Sequence, residues 1–167
     1  MPVLQVGDEA PDFDLPALIA GVKKRFRLED YRGKHNIILA FYPFNWEPVS
    51  DRQMMALQVE RQTFLDLETE TVAISVESIM NTTAWEREIG PFDFPMCSDF
   101  WPHGAAAQRY GVLRTSSHAV GACERAVFVI NRQRRIVFRR IYDLGQLPSV
   151  PELITELQRI NDPLEKA

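Results

Sequence analysis

The feature that most constrains the fold is one nearly continuous apolar run, Asn36-Ile37-Ile38-Leu39-Ala40-Phe41-Tyr42, which stops at Pro43. An apolar run without alternation is typical of a strand buried on both faces of a mostly parallel sheet. Shorter runs rich in β-branched residues follow at residues 71–76 and 126–130. Because helices must cover both faces of such a sheet, the three runs together predict an α/β fold.

Apolar residues at helical spacing occupy the segments between and after these strands. The first stripe predicts one long helix, with Met54, Leu57, Phe64 and Leu65 on its apolar face, although Arg61 interrupts that stripe. Further helices are predicted at residues 82–89 and 104–110. The last predicted helix has Pro151 in its first turn, with an apolar face of Leu153, Ile154, Leu157 and Ile160.

Two hairpins complete the predicted fold. Residues 12–16 and 25–28 predict an extra N-terminal hairpin, and a turn at 131–133 joins the strand at 126–130 to another at 136–138. The order of strands and helices is typical of a thioredoxin-like α/β fold. Since no linker or repeat divides the chain, we expect a single domain over residues 1–167.

Charge and hydropathy exclude several classes of protein. With 23 acidic and 19 basic residues, the net charge is −4, which argues against a protein that mainly binds nucleic acid or anionic lipid. The longest apolar runs are far shorter than the ~20 residues of a membrane helix. The first residues lack the pattern of a secretory signal, so we expect a cytoplasmic protein.

Cysteine and histidine are both sparse. Cys97 and Cys123 do not form a Cys-x-x-Cys motif, which argues against a disulfide scaffold and against dithiol exchange. Zinc sites need about four closely spaced ligands, and His118 with Cys123 would supply only two of them. We therefore expect no metal and no cofactor.

The turn after the first apolar run is the candidate functional site. Ligands of open α/β sheets tend to bind at the carboxyl ends of strands, and a helix start offers free N–H groups and a positive dipole end. Ser50 and Gln53 have the spacing of a capping box, so one interpretation is that Ser50 simply caps the helix.

The same segment resembles the active-site loop of the peroxiredoxins, the alkyl hydroperoxide reductase and thiol-specific antioxidant (AhpC/TSA) family. That family carries Pro-x-x-x-Thr/Ser-x-x-Cys at this turn. Here Pro43 matches, Glu47 stands in the Thr/Ser place and Ser50 stands in the place of the peroxidatic cysteine. Similar motifs in the family's order are Val6-Gly7-Asp8-Glu9-Ala10-Pro11-Asp12-Phe13, Phe94-Pro95, Ser98-Asp99-Phe100-Trp101-Pro102-His103-Gly104, Tyr110-Gly111-Val112 and Glu124-Arg125-Ala126-Val127-Phe128-Val129-Ile130.

The resemblance is to the one-cysteine branch of the family and covers nearly the whole chain. It implies a thioredoxin-like fold with a central mixed sheet flanked by helices, a homodimer, and Arg125 as the active-site arginine. In the family, the helix end and this arginine favour a thiolate, which attacks peroxide and becomes a sulfenic acid that a second thiol reduces. A serine hydroxyl is far less acidic, and its oxygen cannot form a sulfenic acid.

Glu47 supplies an anion next to the expected position of Arg125. A buried arginine without an anion is costly, so we hypothesise a Glu47–Arg125 ion pair that fills the former peroxide pocket. The chain is then an inactive relative of antioxidant oxidoreductases, a pseudoenzyme that acts as a binding or regulatory module. Its pocket would accept a peroxide or small anion, if any ligand at all.

Other interpretations stay open at the level of sequence. An active thiol peroxidase could use Cys123, because two residues before Arg125 on an extended strand lie on the same face, and would then require a thiol reductant. Ser50 could also be an engineered replacement of a cysteine in a genuine peroxidase. A purely structural scaffold would expose a large apolar surface and offer no usable pocket.

Overall fold

The computed structural model describes residues 2–162, which form one mixed sheet with helices on both faces. Its strands are β1 (Asp14–Ile19), β2 (Val22–Arg27), β3 (Asn36–Phe41), β4 (Thr69–Ser75), β5 (Met96–Ser98), β6 (Arg125–Ile130) and β7 (Ile136–Tyr142). Its helices are α1 (Pro48–Val59), α2 (Arg61–Asp66), α3 (Ile79–Ile89), α4 (Ala105–Tyr110) and α5 (Val150–Asn161), with a 3₁₀ turn at Leu28–Tyr31. The predicted α/β fold, the N-terminal hairpin and the C-terminal helix are all confirmed.

The strands are arranged in the order β2-β1-β5-β4-β3-β6-β7, so β3 lies inside the sheet. The expectation of a mostly parallel sheet is wrong, since among the described strands only the β3–β4 and β4–β5 pairs are parallel. Hairpins force the β1–β2 and β6–β7 pairs to be antiparallel, and β6 also runs antiparallel to β3. This arrangement places the start of β6 beside the end of β3.

Two apolar layers cover the sheet, and β3 contributes to both because all of its residues are buried. Ile37, Leu39 and Phe41 pack on the face covered by α4, in a layer that also contains Tyr110. Ile38 and Ala40 pack on the opposite face, against side chains of α1, α2, α3 and α5. Burial on both faces explains why the sequence of this strand lacks polar alternation.

The predicted long helix is two helices. Glu60 ends α1 and precedes α2, with φ −95° and ψ 7°, outside the helical region. Arg61, which interrupts the apolar stripe, is the first residue of α2, and its guanidinium lies 3.1 Å from the carboxylate of Glu70. Phe64 of α2 is buried in the same layer as Met54 and Leu57 of α1. The spacing of apolar residues in the sequence therefore does not reveal the break between the two helices.

Helix α3 begins at Ile79, three residues before its predicted start. Ser78 caps it, since its Oγ accepts a hydrogen bond from the N–H of Asn81 at 3.2 Å. Within residues 2–162, no helix is long and apolar enough to cross a membrane.

The buried face of α5 predicts a large difference between two adjacent alanine substitutions. Leu157 is fully buried, so Leu157→Ala should lower the free energy of unfolding by roughly 2–5 kcal/mol through lost burial and a residual cavity. Gln158 is exposed, so Gln158→Ala should change it by less than about 0.5 kcal/mol. Equilibrium urea denaturation of both variants measures this difference, and equal effects would mean that α5 is not docked on the sheet.

Candidate functional site

Glu47 caps helix α1. Its Oε1 accepts a hydrogen bond from the N–H of Val49, and its Oε2 accepts one from the N–H of Ser50, both at 2.8 Å. The capping-box interpretation is therefore wrong, because Ser50 and Gln53 lie inside the helix. A carboxylate at this point satisfies free N–H groups and also interacts favourably with the positive end of the helix dipole.

Arg125 is the centre of the site and has no exposed surface. It is the first residue of β6, and it reaches the start of α1. Its Nη2 donates to Glu47 Oε2 at 2.8 Å, and its Nη1 donates to Gln53 Oε1 at 2.7 Å and to Ser50 Oγ at 3.2 Å. Its Nε donates to the carbonyl oxygen of Leu144 at 2.9 Å. Each nitrogen of the guanidinium thus has a partner.

Ser50 lies between the two charged groups of this ion pair. It is fully buried, and its hydroxyl donates to Glu47 Oε2 at 3.0 Å while accepting from Arg125. Pro43 is buried at the start of the same loop. The structure therefore brings Glu47, Ser50 and Arg125 into contact, and Pro43 begins the loop that leads to them. It adds Gln53 as a direct partner of the arginine, which sequence reasoning had treated only as part of a cap.

The hydrogen bonds determine the charge state of Glu47. Burial by itself would raise its pKa, but the N–H groups of Val49 and Ser50, the Ser50 hydroxyl and Arg125 together lower that pKa below its usual value. Burial also lowers the pKa of Arg125, and the neighbouring carboxylate opposes that change. Because an arginine side chain stays protonated in proteins, the pair is ionised at neutral pH.

This geometry does not activate Ser50 as a nucleophile. The group that accepts its hydroxyl proton is a carboxylate of lowered pKa, which is a weak base. The same carboxylate is held by Arg125, and the hydroxyl oxygen has no exposed surface. Instead, Arg125 and the N–H groups at the start of α1 are hydrogen-bond donors that suit an anion, and the carboxylate of Glu47 already accepts their hydrogen bonds.

A polar network holds this loop in place. The Asn45 side chain accepts a hydrogen bond from the Tyr42 hydroxyl at 2.8 Å and donates to Asn81 and Thr82 on α3, both at 3.0 Å. Trp46 adopts φ 68°, a left-handed conformation that is costly for an L-residue, and its indole N–H donates to Asn81 Oδ1 at 2.9 Å. Sequence reasoning missed this network, because its members are distant along the chain.

Neither cysteine belongs to the site. Cys123 is fully buried in the layer that contains Ala126 and Phe128, whereas Arg125 contacts α1 on the opposite face. The expectation that Cys123 and Arg125 share a face is wrong, because β6 begins at Arg125 and the strand alternation does not extend back to Cys123. Burial raises the pKa of both the Cys97 and the Cys123 thiols.

Other candidate groups have structural partners. Three arginines of the β6–β7 hairpin form ion pairs: Arg132 with Glu68, Arg134 with Glu29, and Arg140 with Glu152. The Nε2 of His103 lies 2.7 Å from the carbonyl oxygen of Gly121. No group of three or more histidine, cysteine or acidic residues suited to a metal ion occurs between residues 2 and 162.

Comparison with known proteins identifies relatives over most of the chain. The AhpC/TSA family profile matches residues 6–139. Alkyl hydroperoxide reductase E of Mycobacterium tuberculosis is 32% identical over 145 residues, covering 87% of this chain and 90% of that protein. Mouse peroxiredoxin-2 is 31% identical over 160 residues, covering 92% of this chain and 78% of that protein. The structure of Mycobacterium tuberculosis AhpC superposes with a TM-score of 0.86 and 20% identity over 96% of this chain and 95% of that one. At that identity it shows the shared fold.

The ion pair predicts an acid-dependent loss of stability. Glu47→Gln should lower the free energy of unfolding at neutral pH by about 1–3 kcal/mol, because it leaves Arg125 buried without an anion. The loss is moderate because the Glu47 side chain is partly exposed to solvent. The pKa of Glu47 is lowered in the folded state, so its contribution is complete above the usual value of 4.5 and disappears as the pH falls through the lowered value. Urea denaturation across this pH range should show the wild type and the variant converging in acid.

Glu68→Gln is the matched control for that experiment, because it removes an exposed carboxylate from its ion pair with the half-buried Arg132. It should cost no more than about 1 kcal/mol. If both variants behaved alike, the Glu47–Arg125 pair would contribute no more than a surface pair.

Burial of the two cysteines predicts slow thiol chemistry. In the native protein, Cys97 and Cys123 should resist Ellman's reagent, since each is inaccessible and protonated at neutral pH. Both should react rapidly after unfolding in guanidinium chloride. Rapid reaction of one thiol in the native protein, measured by absorbance, would show that its environment opens in solution.

Proposed function

Because the chain belongs to the AhpC/TSA family of peroxiredoxins, whose characteristic activity is the thiol-dependent reduction of peroxides, we propose that it is a member that has lost this activity and acts as a binding or regulatory module. In this proposal, Ser50 occupies the position of the peroxidatic cysteine and Glu47 that of the motif threonine or serine. Pro43 and Arg125 are the retained members of the site.

The observation that carries the proposal is the position of the Glu47 carboxylate. Its Oε2 is hydrogen-bonded by Arg125, the Ser50 N–H and the Ser50 hydroxyl, the same kinds of donor that would stabilise a thiolate and a bound peroxide. A loss of the nucleophile alone would have left Arg125 buried without an anion. The carboxylate supplies the missing negative charge within the protein and closes the pocket.

Thiol-dependent peroxide reduction requires a sulfur nucleophile, which bonds to one peroxide oxygen and loses two electrons as the O–O bond breaks and water or an alcohol leaves. The hydroxyl of Ser50 cannot take this role. The burial and raised pKa of Cys123 argue against the alternative of a relocated nucleophile, since the reactive form is an accessible thiolate.

Several properties stay predictions. We expect a homodimer and a cytoplasmic location, as the resemblance and the sequence indicate. A peroxide or small anion would reach Arg125 only by displacing Glu47, whose side chain is 30% exposed. A thiol reductant would be needed only if a cysteine of the chain were oxidised.

Intact mass spectrometry after one equivalent of hydrogen peroxide tests the proposal. The reduced wild-type protein should gain no oxygen between milliseconds and minutes. The double variant Glu47→Thr, Ser50→Cys should gain one oxygen rapidly, because it restores a thiol beside Arg125 and the helix start. Ser50→Cys alone should react more slowly, since the Glu47 carboxylate next to the new thiol disfavours its thiolate.

Ser50→Ala is the matched control, because it changes the same position without adding a thiol. Peptide mapping locates the added oxygen in each variant. Rapid oxidation of the wild type at Cys123 would contradict the proposal and indicate an active peroxidase with a relocated nucleophile.

A further inference from the structure

Strand β2 forms one edge of the sheet, because β1 is its single neighbour among the strands of residues 2–162. The N–H of Leu28 donates to the carbonyl oxygen of Phe13 at 3.1 Å, and the β1–β2 register continues from this pair. Successive residues of an antiparallel strand direct their N–H and C=O groups to opposite sides. Those of Lys23, Arg25 and Arg27 therefore point away from β1, towards the free edge.

The position of Pro16 supports this assignment. Pro16 of β1 lies opposite Arg25 in the register, and it has no N–H to donate. This pair cannot exchange two hydrogen bonds, so the backbone groups of Arg25 are directed to the other side of β2. The edge thus offers a row of backbone donors and acceptors to a further strand.

The same edge carries concentrated positive charge. Residues 22–35 contain six lysines and arginines and two acidic residues, whereas the whole chain has a net charge of −4. Lys23, Lys24 and Lys34 are exposed, and none of them has an ion-pair partner within residues 2–162. An acidic partner would be attracted to this edge and repelled by the acidic remainder of the protein.

Three basic side chains of β2 share one face of the strand, since Lys23, Arg25 and Arg27 alternate along it. The carboxylate of Asp14 lies 2.8 Å from Arg25 and 3.4 Å from Arg27, so one anion serves both guanidiniums. The two arginine side chains are 62% and 55% exposed. Side chains directly opposite on a neighbouring strand share a face, so acidic residues of an added strand would lie next to these three.

The other face of the edge offers an apolar contact. A groove with a volume of about 360 Å³ lies beside β2, and its lining includes Ile19, Phe26, Tyr31 and His35. The ring of Tyr31 stacks on that of Phe26 at a centroid distance of 5.1 Å, and the ring of His35 lies 6.3 Å from that of Tyr31. The groove therefore suits an apolar side chain that alternates with acidic ones along an added strand.

We propose that the free edge of β2 binds an extended acidic segment of another protein, which adds a strand to the sheet. Acidic side chains at every second position pair with Lys23, Arg25 and Arg27, and an apolar side chain between them enters the groove. A second copy of β2 is a poor partner, because its basic side chains would repel these. The inference is independent of the proposed loss of peroxidase activity, since four strands separate β2 from β6, which carries Arg125.

The heptapeptide acetyl-Glu-Val-Glu-Phe-Glu-Val-Glu-amide is the probe, and it is titrated into the ¹⁵N-labelled protein. It should shift the amide signals of residues 22–35 most. It should also slow hydrogen exchange of the Lys23, Arg25 and Arg27 amides, because each becomes hydrogen-bonded to the peptide. The same peptide with lysine in place of glutamate should not bind.

Two N-methylated forms of the acidic peptide separate strand pairing from attraction of charge alone. One form is methylated at the second and third glutamates, and the other at the two valines. Only one set of alternate N–H groups faces β2, so one form should bind about fivefold or more weakly than the other. A single-stranded oligothymidylate, which has charge but no peptide backbone, should not slow the exchange of alternate β2 amides.

Variants of the protein test both contributions. Lys23→Gln should weaken peptide binding about two- to fivefold, whereas Arg135→Gln, at an exposed position near the opposite edge, should leave it unchanged. Arg25→Gln and Arg25→Pro remove the same charge, but only the proline removes the N–H at the free edge. Proline is tolerated on edge strands, and this variant should bind about three- to tenfold more weakly than Arg25→Gln.

Equal affinity of the two N-methylated peptides would overturn the proposal, even if Arg25→Pro failed to fold. So would unchanged exchange at residues 23, 25 and 27, tighter binding of oligothymidylate than of the acidic peptide, or a lack of shifts with that peptide. The peroxide experiment has a separate readout, so a failure of either proposal leaves the other intact.

Discussion

The site depends on one constraint: a guanidinium with no exposed surface must find partners for its charge and for every N–H group. Arg125 meets this requirement through two side chains of α1, a carbonyl oxygen and the carboxylate of Glu47. Removing a charge from water costs several kcal/mol, and only close, well-directed partners recover it. The same carboxylate caps α1, so one group satisfies both the arginine and the start of the helix.

The topology explains why these groups meet. Ala126 of β6 pairs with Phe41 of β3, so Arg125, the residue before Ala126, lies level with the loop that leaves β3. That loop leads directly into α1, and its path is fixed by the bonds of Asn45 to α3. A short loop and an antiparallel neighbour are therefore enough to place Glu47 against Arg125, although they are far apart in sequence.

The proposed function separates family membership from chemistry at this site. In the proposed function, the fold, the helix start and the arginine on which peroxiredoxin chemistry relies are retained, and Ser50 takes the place of the reactive cysteine. Function belongs to the arrangement of particular atoms and not to the fold. The ion pair leaves each nitrogen of the Arg125 guanidinium with a partner among the described residues.

Sequence reasoning predicted most of the strands and helices, because burial of β3 on both faces and the apolar spacing of α5 leave strong patterns. It also predicted Pro43, Glu47, Ser50 and Arg125 as one site, from motif spacing and resemblance. It failed where the backbone conformation changes but the spacing of apolar residues along the sequence does not. Despite the break at Glu60, Phe64 is buried in the same apolar layer as Met54. The alternation of side chains along β6 does not continue before Arg125, so Cys123 lies on the other face of the sheet.

The sequence by itself determined the α/β fold, the identity of the groups at the site and the absence of a thiol at position 50. Those properties follow from local patterning and from which atoms a side chain contains. Only the tertiary structure decided that Glu47 and not Ser50 caps α1, and that Gln53 binds Arg125. These outcomes depend on distances between segments remote in sequence, and such distances are set by packing of the whole sheet and its helices.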